Sequence, residues 1–355
     1  MASSKLRDRD AIITREGLIF RVYGYTHPLE GYVCDLEYAP AEVFKSENPK
    51  AFRTDGKSIF YKFYGNEGWR FIEGKFPKYM IVHEQLGKKV LGVKKPDIAE
   101  IRKPEEKLIE LLGKELKDEL SMALQRVIET VTACSGLSKT NFGVFGSMLH
   151  GFHHPKFSDI DLIVYGRRNT ERLRTVLNDL YMDSTSHLQN EFETGESISG
   201  KNWRFKNITP QEFIWHQKRK TIYGVFKDEN SKRKIKVEFE PVKEWSEIRN
   251  ENGEVEKVMQ CGWVGAILYV KDDGDNLFMP SIYGVETLEL LYGPKVEDIT
   301  RVVSYLEEFR MQAWKDETVY VEGNLEKIET QNGSFHQITL TYGPKYYEQV
   351  LKVVK

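Results

Sequence analysis

The chain has 355 residues, with 52 Lys and Arg against 54 Asp and Glu and a net charge of −2. No run of about 18 apolar residues occurs, and Met1-Ala-Ser-Ser-Lys-Leu-Arg-Asp-Arg-Asp10 is charged rather than signal-like, which predicts a soluble, cytoplasmic protein with no membrane partner. Cys34, Cys134 and Cys261 are too few and too scattered for a disulfide framework or a zinc cluster, and Cys134, at the end of a predicted helix, reads as a small buried hydrophobe.

The length allows two or three domains. Residues 10 to 95 carry short alternating runs, Leu18–Tyr23, Ile59–Tyr64 and Tyr79–Val82, separated by turns such as Gly65-Asn-Glu-Gly68. They predict a small β-rich domain over 1–98. Tyr23, Tyr25, Tyr61, Tyr64 and Trp69 suit a strand core, with base stacking as the alternative. Pro104 opens a helical pattern in which Leu108, Leu112, Leu116, Leu120, Leu124 and Val127 recur, so one long helix to about Ala133 is expected.

The chemistry begins after it. Asn141 to Phe145 reads as a buried strand that Gly146-Ser147 turns into a helix near Met148. Free N–H groups at a helix start attract phosphate, and a glycine admits it close to the backbone. In Ser158-Asp-Ile-Asp-Leu-Ile-Val-Tyr165 the apolar residues 160, 162 and 164 share one face, which leaves Asp159 and Asp161 on the other, with Cα atoms about 6.5 Å apart. Two carboxylates so placed suit a hard divalent cation, Mg²⁺ or Mn²⁺, whose remaining oxygens a triphosphate would supply. His150, His153 and His154, between the two motifs, lack the Cys or acid partners of a zinc site.

Thr170 is expected to cap a helix whose apolar face is Leu173, Val176, Leu177 and Leu180. Thr209-Pro-Gln-Glu212 is a capping box for a helix that ends in Lys218-Arg-Lys220. A hairpin follows, from Thr221–Phe226 to Lys234-Ile-Lys-Val-Glu-Phe-Glu-Pro241, which puts Glu238 and Glu240 on one side. Either offers the third carboxylate of a two-metal clamp. From Lys201 to Glu240 eleven Lys or Arg stand against five acids, so this segment is at +6 and the rest at −8. Beyond Cys261 five strand signals recur, and Val319–Ile328 resembles the strand, glycine bend and strand of an OB-type barrel.

Phe145-Gly-Ser-Met-Leu-His-Gly151 followed by Ser158-Asp-Ile-Asp161 resembles the signature of the DNA polymerase β-type nucleotidyltransferase superfamily, in a form similar to archaeal members. The resemblance spans roughly residues 105 to 245. It implies an α+β fold: a mixed-sheet nucleotidyltransferase domain over 99–258, flanked by the N-terminal β-rich domain and an OB-like barrel over 259–355. It implies Asp159, Asp161 and Glu238 as catalytic residues and metal ligands, with Glu240 in reserve as a ligand. Gly146, Ser147, Ser158 and Lys218 would hold a nucleoside triphosphate such as ATP. The reaction implied is metal-dependent transfer of a nucleoside monophosphate to an acceptor hydroxyl, with release of pyrophosphate. The basic segment and the C-terminal domain favour a nucleic-acid acceptor, a single-stranded end or tRNA, engaged by Lys218, Arg219 and Lys220. A protein or small-molecule acceptor, and a non-catalytic nucleic-acid-binding protein, are the alternatives.

Overall fold

The structure is a computed structural model that describes residues 5–83, 88–114, 118–200, 202–248, 255–343 and 345–354. Leu116 and Lys201 of the sequence reading, and the first four residues, lie outside them. The described chain forms two compact units: one from residues up to 189 together with 224–248, the other from 190–223 and the residues beyond 255.

In the first unit, strands β1 (Ala11–Thr14), β2 (Ile19–Val22), β3 (Gly31–Pro40), β4 (Phe52–Thr54), β5 (Ile59–Lys62), β6 (Met80–His83), β7 (Lys88–Lys94) and β8 (Ile98–Arg102) build an antiparallel sheet, in the order β4-β5-β3-β2-β1-β8 with β7 on β3 and β6 on β7. Helix α1 (Glu67–Lys75) packs on it. Its core is Ile12, Leu18, Phe20, Val22, Leu36, Ile72, Tyr79 and Val93, the alternate residues of these strands and one stripe of the helix.

The same unit continues with α2 (Pro104–Leu112) and α3 (Glu119–Ser135), two helices where the leucine spacing predicts one. Gly113 ends the first, and Asp118 starts the second by accepting from the N–H groups of Leu120 and Ser121. Cys134 lies on the exposed side of α3, contrary to its expected burial. Strand β9 (Phe142–Val144), the one-turn helix α4 (Gly146–His150), β10 (Ile160–Tyr165), α5 (Arg167–Met182), β11 (Leu188–Asn190), β12 (Tyr223–Asp228) and β13 (Arg233–Val242) complete it, with sheet order β11-β12-β13-β10-β9. Gly166 rather than Thr170 stands at the cap of α5, and Thr170, one turn in, donates its hydroxyl to the Gly166 carbonyl. The parallel pairing of β10 with β13 and the antiparallel pairing of β10 with β9 make this sheet mixed.

The second unit holds α6 (Pro210–Lys220), with the expected Thr209–Glu212 capping box, and β14 (Val255–Asp275), β15 (Ser281–Tyr292), β16 (Arg301–Ser304), β17 (Thr318–Thr330), β18 (Gly333–Leu340) and β19 (Val350–Val353). The order is β14-β15-β16-β18-β17-β19; β16 and β18 run parallel, and β14 also pairs with β17. Residues 319–328 form one continuous strand rather than two around a bend. Gly323 serves packing there, because a Cβ would come within 2.5 Å of Leu340.

Candidate active site

The two motifs meet on β10. The Phe145 N–H donates to the Asp161 carbonyl at 3.0 Å, which lays the Gly-Ser turn against the acidic strand. Gly146 has φ +61°, and a Cβ on it would stand 2.2 Å from the Asp161 Oδ2. Glycine is therefore required here twice, for backbone conformation and for contact with the carboxylate. The helix begins at Gly146, two residues before the expected start, with Ser147 in its first turn and nearly buried.

Alternation along β10 puts Asp161, Ile163 and Tyr165 on one face, and the parallel register sets Asp161 opposite Glu238, Ile163 opposite Glu240 and Tyr165 opposite Val242. The lower part of this face is apolar: Ile163, Tyr165 and Val242 pack with Phe145, Leu149 and Ala11. The upper part is acidic. Asp159 is exposed, Asp161 and Glu238 are half-buried, and Glu240 is buried. Burial pushes the Asp161 carboxyl well up from its ordinary value; Lys62 opposes the shift, while the charges of Asp159, Glu240 and Glu37 add to it. Ser158 braces the loop before the acids, its hydroxyl accepting from the His154 N–H at 2.9 Å. Arg233, at the start of β13, donates to the carbonyls of Pro155 and Ser158 and ties that loop to the sheet.

Glu240 holds a buried cation. Arg9 Nη2 lies 2.9 Å from its Oε2, and Arg9 is only 1% exposed. The Arg9 guanidinium also faces the Phe145 ring at 5.5 Å, and its Nε is 3.8 Å from Asp8. Arg7 lies 3.7 Å over the Tyr165 ring and pairs with Glu105 at 3.1 Å. The run Arg7-Asp-Arg-Asp10, which the sequence shows only as charged, is thus wedged into the core beneath the acids.

The histidines between the motifs serve structure. His150 is buried edge-on to Tyr38 at 5.4 Å, and burial pushes its imidazole down to about 3. His153 lies 3.2 Å from Asp118, and His154 is exposed beside Phe157.

Lys218, Arg219 and Lys220 belong to the second unit, as part of α6. They do not form the solvated basic face their sequence suggests. Lys220 is 0% exposed and donates to the Glu308 carbonyl at 2.7 Å; Arg219 pairs with Glu317 between the rings of Trp215 and Trp314. Lys218 alone is exposed, paired with Glu193 at 2.8 Å. At the helix C-terminus the apolar stems and the ring faces offered more than solvent did.

No group of three or more His, Cys, Asp or Glu side chains is gathered as a metal centre among the described residues. The donor set at Asp159, Asp161 and Glu238 is nevertheless all oxygen, and Mg²⁺ is commonly held by one or two carboxylates with substrate phosphates completing its shell.

Residues 124–251 match the family model of the nucleotidyltransferase domain, which places this part of the chain, with both motifs and the acidic strand, in the nucleotidyltransferase superfamily. The whole chain is similar to an uncharacterized protein of Methanocaldococcus jannaschii, 26% identical over 353 residues, 98% of this chain and 99% of that one. No solved structure matches at a significant level. No helix among the described residues is long and apolar enough to cross a membrane.

Proposed function

We propose that the chain is a metal-dependent nucleotidyltransferase that moves a nucleoside monophosphate from a nucleoside triphosphate to a hydroxyl of a nucleic acid and releases pyrophosphate. The observation that carries this reading is the packing of Gly146 on the Asp161 carboxylate, with Asp161 opposite Glu238 in the parallel ladder. Asp159, Asp161 and Glu238 would hold Mg²⁺ or Mn²⁺, and the metal would neutralise charge on the transferring phosphoryl group. Glu240 is better read as the counter-ion of Arg9 than as a ligand. Gly146, Ser147 and Ser158 would position the nucleotide; Ser147 brings a hydroxyl donor to the turn.

A nucleic-acid acceptor is supported by the second unit. Its strand order, with a parallel β16–β18 pair and the β14–β17 pairing, fits an OB-like barrel, a common platform for single strands. Tyr292 and Tyr342 are exposed on it, and Lys345 lies 4.3 Å over the Trp263 ring, the combination of rings and cations that single strands stack on. Of the basic helix end, Lys218 alone is suitably placed for a phosphate.

The test is incubation with Mg²⁺ or Mn²⁺ and each α-labelled nucleoside triphosphate, with and without single-stranded RNA, DNA and tRNA, beside the Asp161→Asn variant. Label is expected in a nucleic acid with the unaltered protein and to fall at least about a hundredfold in the variant, since even partners of metal ligands cost up to that much. Transfer that persists in Asp161→Asn overturns the site. Label in protein or a small molecule replaces the acceptor.

A further inference from the structure

The antiparallel sheet of the first unit covers the Gly-Ser helix directly. Phe152, just after α4, packs on Phe60 of β5 at 4.5 Å and on Tyr38 of β3 at 5.5 Å, and Tyr38 also meets His150. In the β3–β5 register Tyr38 stands opposite Lys62 and Pro40 opposite Phe60. Paired residues of an antiparallel ladder share a face, and so do alternate residues of a strand. Lys62 therefore projects from the face that Tyr38 and Phe60 turn toward the Gly-Ser helix. Arg53 of β4, opposite Phe60, is on that face as well.

The charge inventory makes Lys62 distinctive. Arg9, the buried cation beneath the acids, is committed to Glu240. Lys62 is half-buried and takes part in no ion pair among the described residues; its ammonium lies 5.8 Å from the Tyr64 ring centroid. Arg53 donates to the carbonyls of Lys50 and Phe52 at 2.7 and 2.8 Å, which fixes its guanidinium on the same wall. Lys62 is also the strongest opposing charge felt by Asp161. A half-buried ammonium outside any ion pair, on the sheet face turned toward the Gly-Ser helix and within electrostatic reach of Asp161, is placed to receive an anion that arrives with a cation.

We infer that Lys62, with Arg53 beside it, binds the β- and γ-phosphates of the nucleotide, so that the N-terminal sheet forms one wall of the nucleotide site and holds the leaving pyrophosphate. This rests on the reading of the acids as a nucleotidyl-transfer site and assigns a task to the sheet that covers them. Lys62 is a binding residue in this scheme: it touches the leaving group and moves no proton.

The experiment is calorimetric titration of the full chain with ATP, AMP and inorganic tripolyphosphate in Ca²⁺, comparing the unaltered protein with Lys62→Ala and Lys62→Arg, each first shown to melt within a few degrees of it. The unaltered protein should bind ATP more tightly than AMP. Lys62→Ala should weaken ATP and tripolyphosphate about tenfold, the worth of one charge-assisted hydrogen bond, while leaving AMP unchanged, and Lys62→Arg should restore most of the loss. An equal loss for AMP and ATP in Lys62→Ala, or an unchanged preference for ATP, overturns the inference and leaves the nucleotidyltransferase reading standing. Absence of ATP, AMP and tripolyphosphate binding by the unaltered protein overturns both.

Discussion

Replacing Arg9 by methionine probes the charge arrangement on which the acidic face rests. Arg9 is 1% exposed and Glu240 4%, with 2.9 Å between Nη2 and Oε2. Removing one partner of a buried pair strands the other without water, at about 3–5 kcal/mol. Asp8 and Glu240 both face Arg9, so Arg9→Met takes a cation from two buried acids, whereas Glu240→Gln leaves Arg9 its contact with Asp8. The first variant should thus lie near the top of that range and the second lower, at about 1–3 kcal/mol. Methionine at residue 9 inherits the same left-handed φ of 73°, so the backbone demand is shared and the side-chain charge is what changes. Urea unfolding at pH 7, followed by circular dichroism with m held constant, gives both values and that of the double variant, in which a coupling energy of about 2 kcal/mol should be recovered. A cost for Arg9→Met under about 1 kcal/mol, far below the loss of a buried ion-pair partner, would refute the reasoning, as would a coupling near zero. If the proposed transfer is observed, the double variant should keep it at a temperature where it remains folded; loss of transfer in the folded double variant would return Glu240 to the ligand set.

Gly146→Ala should cost about 1–2 kcal/mol for the left-handed backbone alone, and it should abolish transfer because the new methyl displaces Asp161; a transfer rate within about tenfold of the unaltered protein would show that the turn tolerates the shift. Desolvation pushes three imidazoles down, half-buried His27 to about 4 and buried His150 and His216 to about 3. Their folded values lie below the unfolded one, so the stability they contribute is complete above about pH 6.5 and is lost as pH falls from there toward 3, at up to about 1.4 kcal/mol per pH unit for each. Melting temperatures between pH 7.5 and 4.5 should show this decline, and His150→Phe, which keeps a ring against Tyr38, should flatten it. Lys220→Met should destabilise by about 1–3 kcal/mol, by removing the charged one of the two donors to the Glu308 carbonyl and leaving only Gln217 Nε2 at 3.2 Å, and Lys218→Ala should leave stability unchanged; equal effects in thermal melts would contradict their opposite burial.

The acids and the turn were legible because their chemistry and their local structure coincide. Alternation in Ile160–Tyr165 puts Asp161 on the face away from Ile160, Leu162 and Val164, and the same rule on β13 aligns Glu238 and Glu240 with it. Periodicity could not find the break at Gly113 and Asp118, since the leucine spacing runs on across it; a cap and a glycine outweighed the pattern. Nor could local pattern distinguish Lys218 from Lys220. One is in solvent and the other buried, a difference decided by the carbonyl of Glu308, far away in sequence. Arg7–Asp10 was illegible for the same reason: its partners Glu105 and Glu240 are residues of α2 and β13. Tertiary partners turn a hydrophilic run into core, and a single sequence does not print them.

The charge distribution explains why metal and nucleotide should depend on one another at this site. Asp159, Asp161, Glu238 and Glu240 stand together, and Glu37 adds to the field at Asp161. Arg9 pairs with Glu240, and the charge of Lys62 opposes that of Asp161. Burial first, and then the charges of Asp159, Glu240 and Glu37, hold the Asp161 carboxyl above its ordinary range. A divalent cation held by Asp159, Asp161 and Glu238 would relieve repulsion among them, with phosphate oxygens as its further ligands. In the arrangement inferred above, Lys62 would meet the β- and γ-phosphates of the nucleotide. On this account the Gly-Ser turn and the acids supply one half of the site, and the N-terminal sheet the other. The buried Arg9–Glu240 pair seats the residues preceding that sheet on the acidic strand, which links the order of the N-terminal segment to the geometry of the catalytic face.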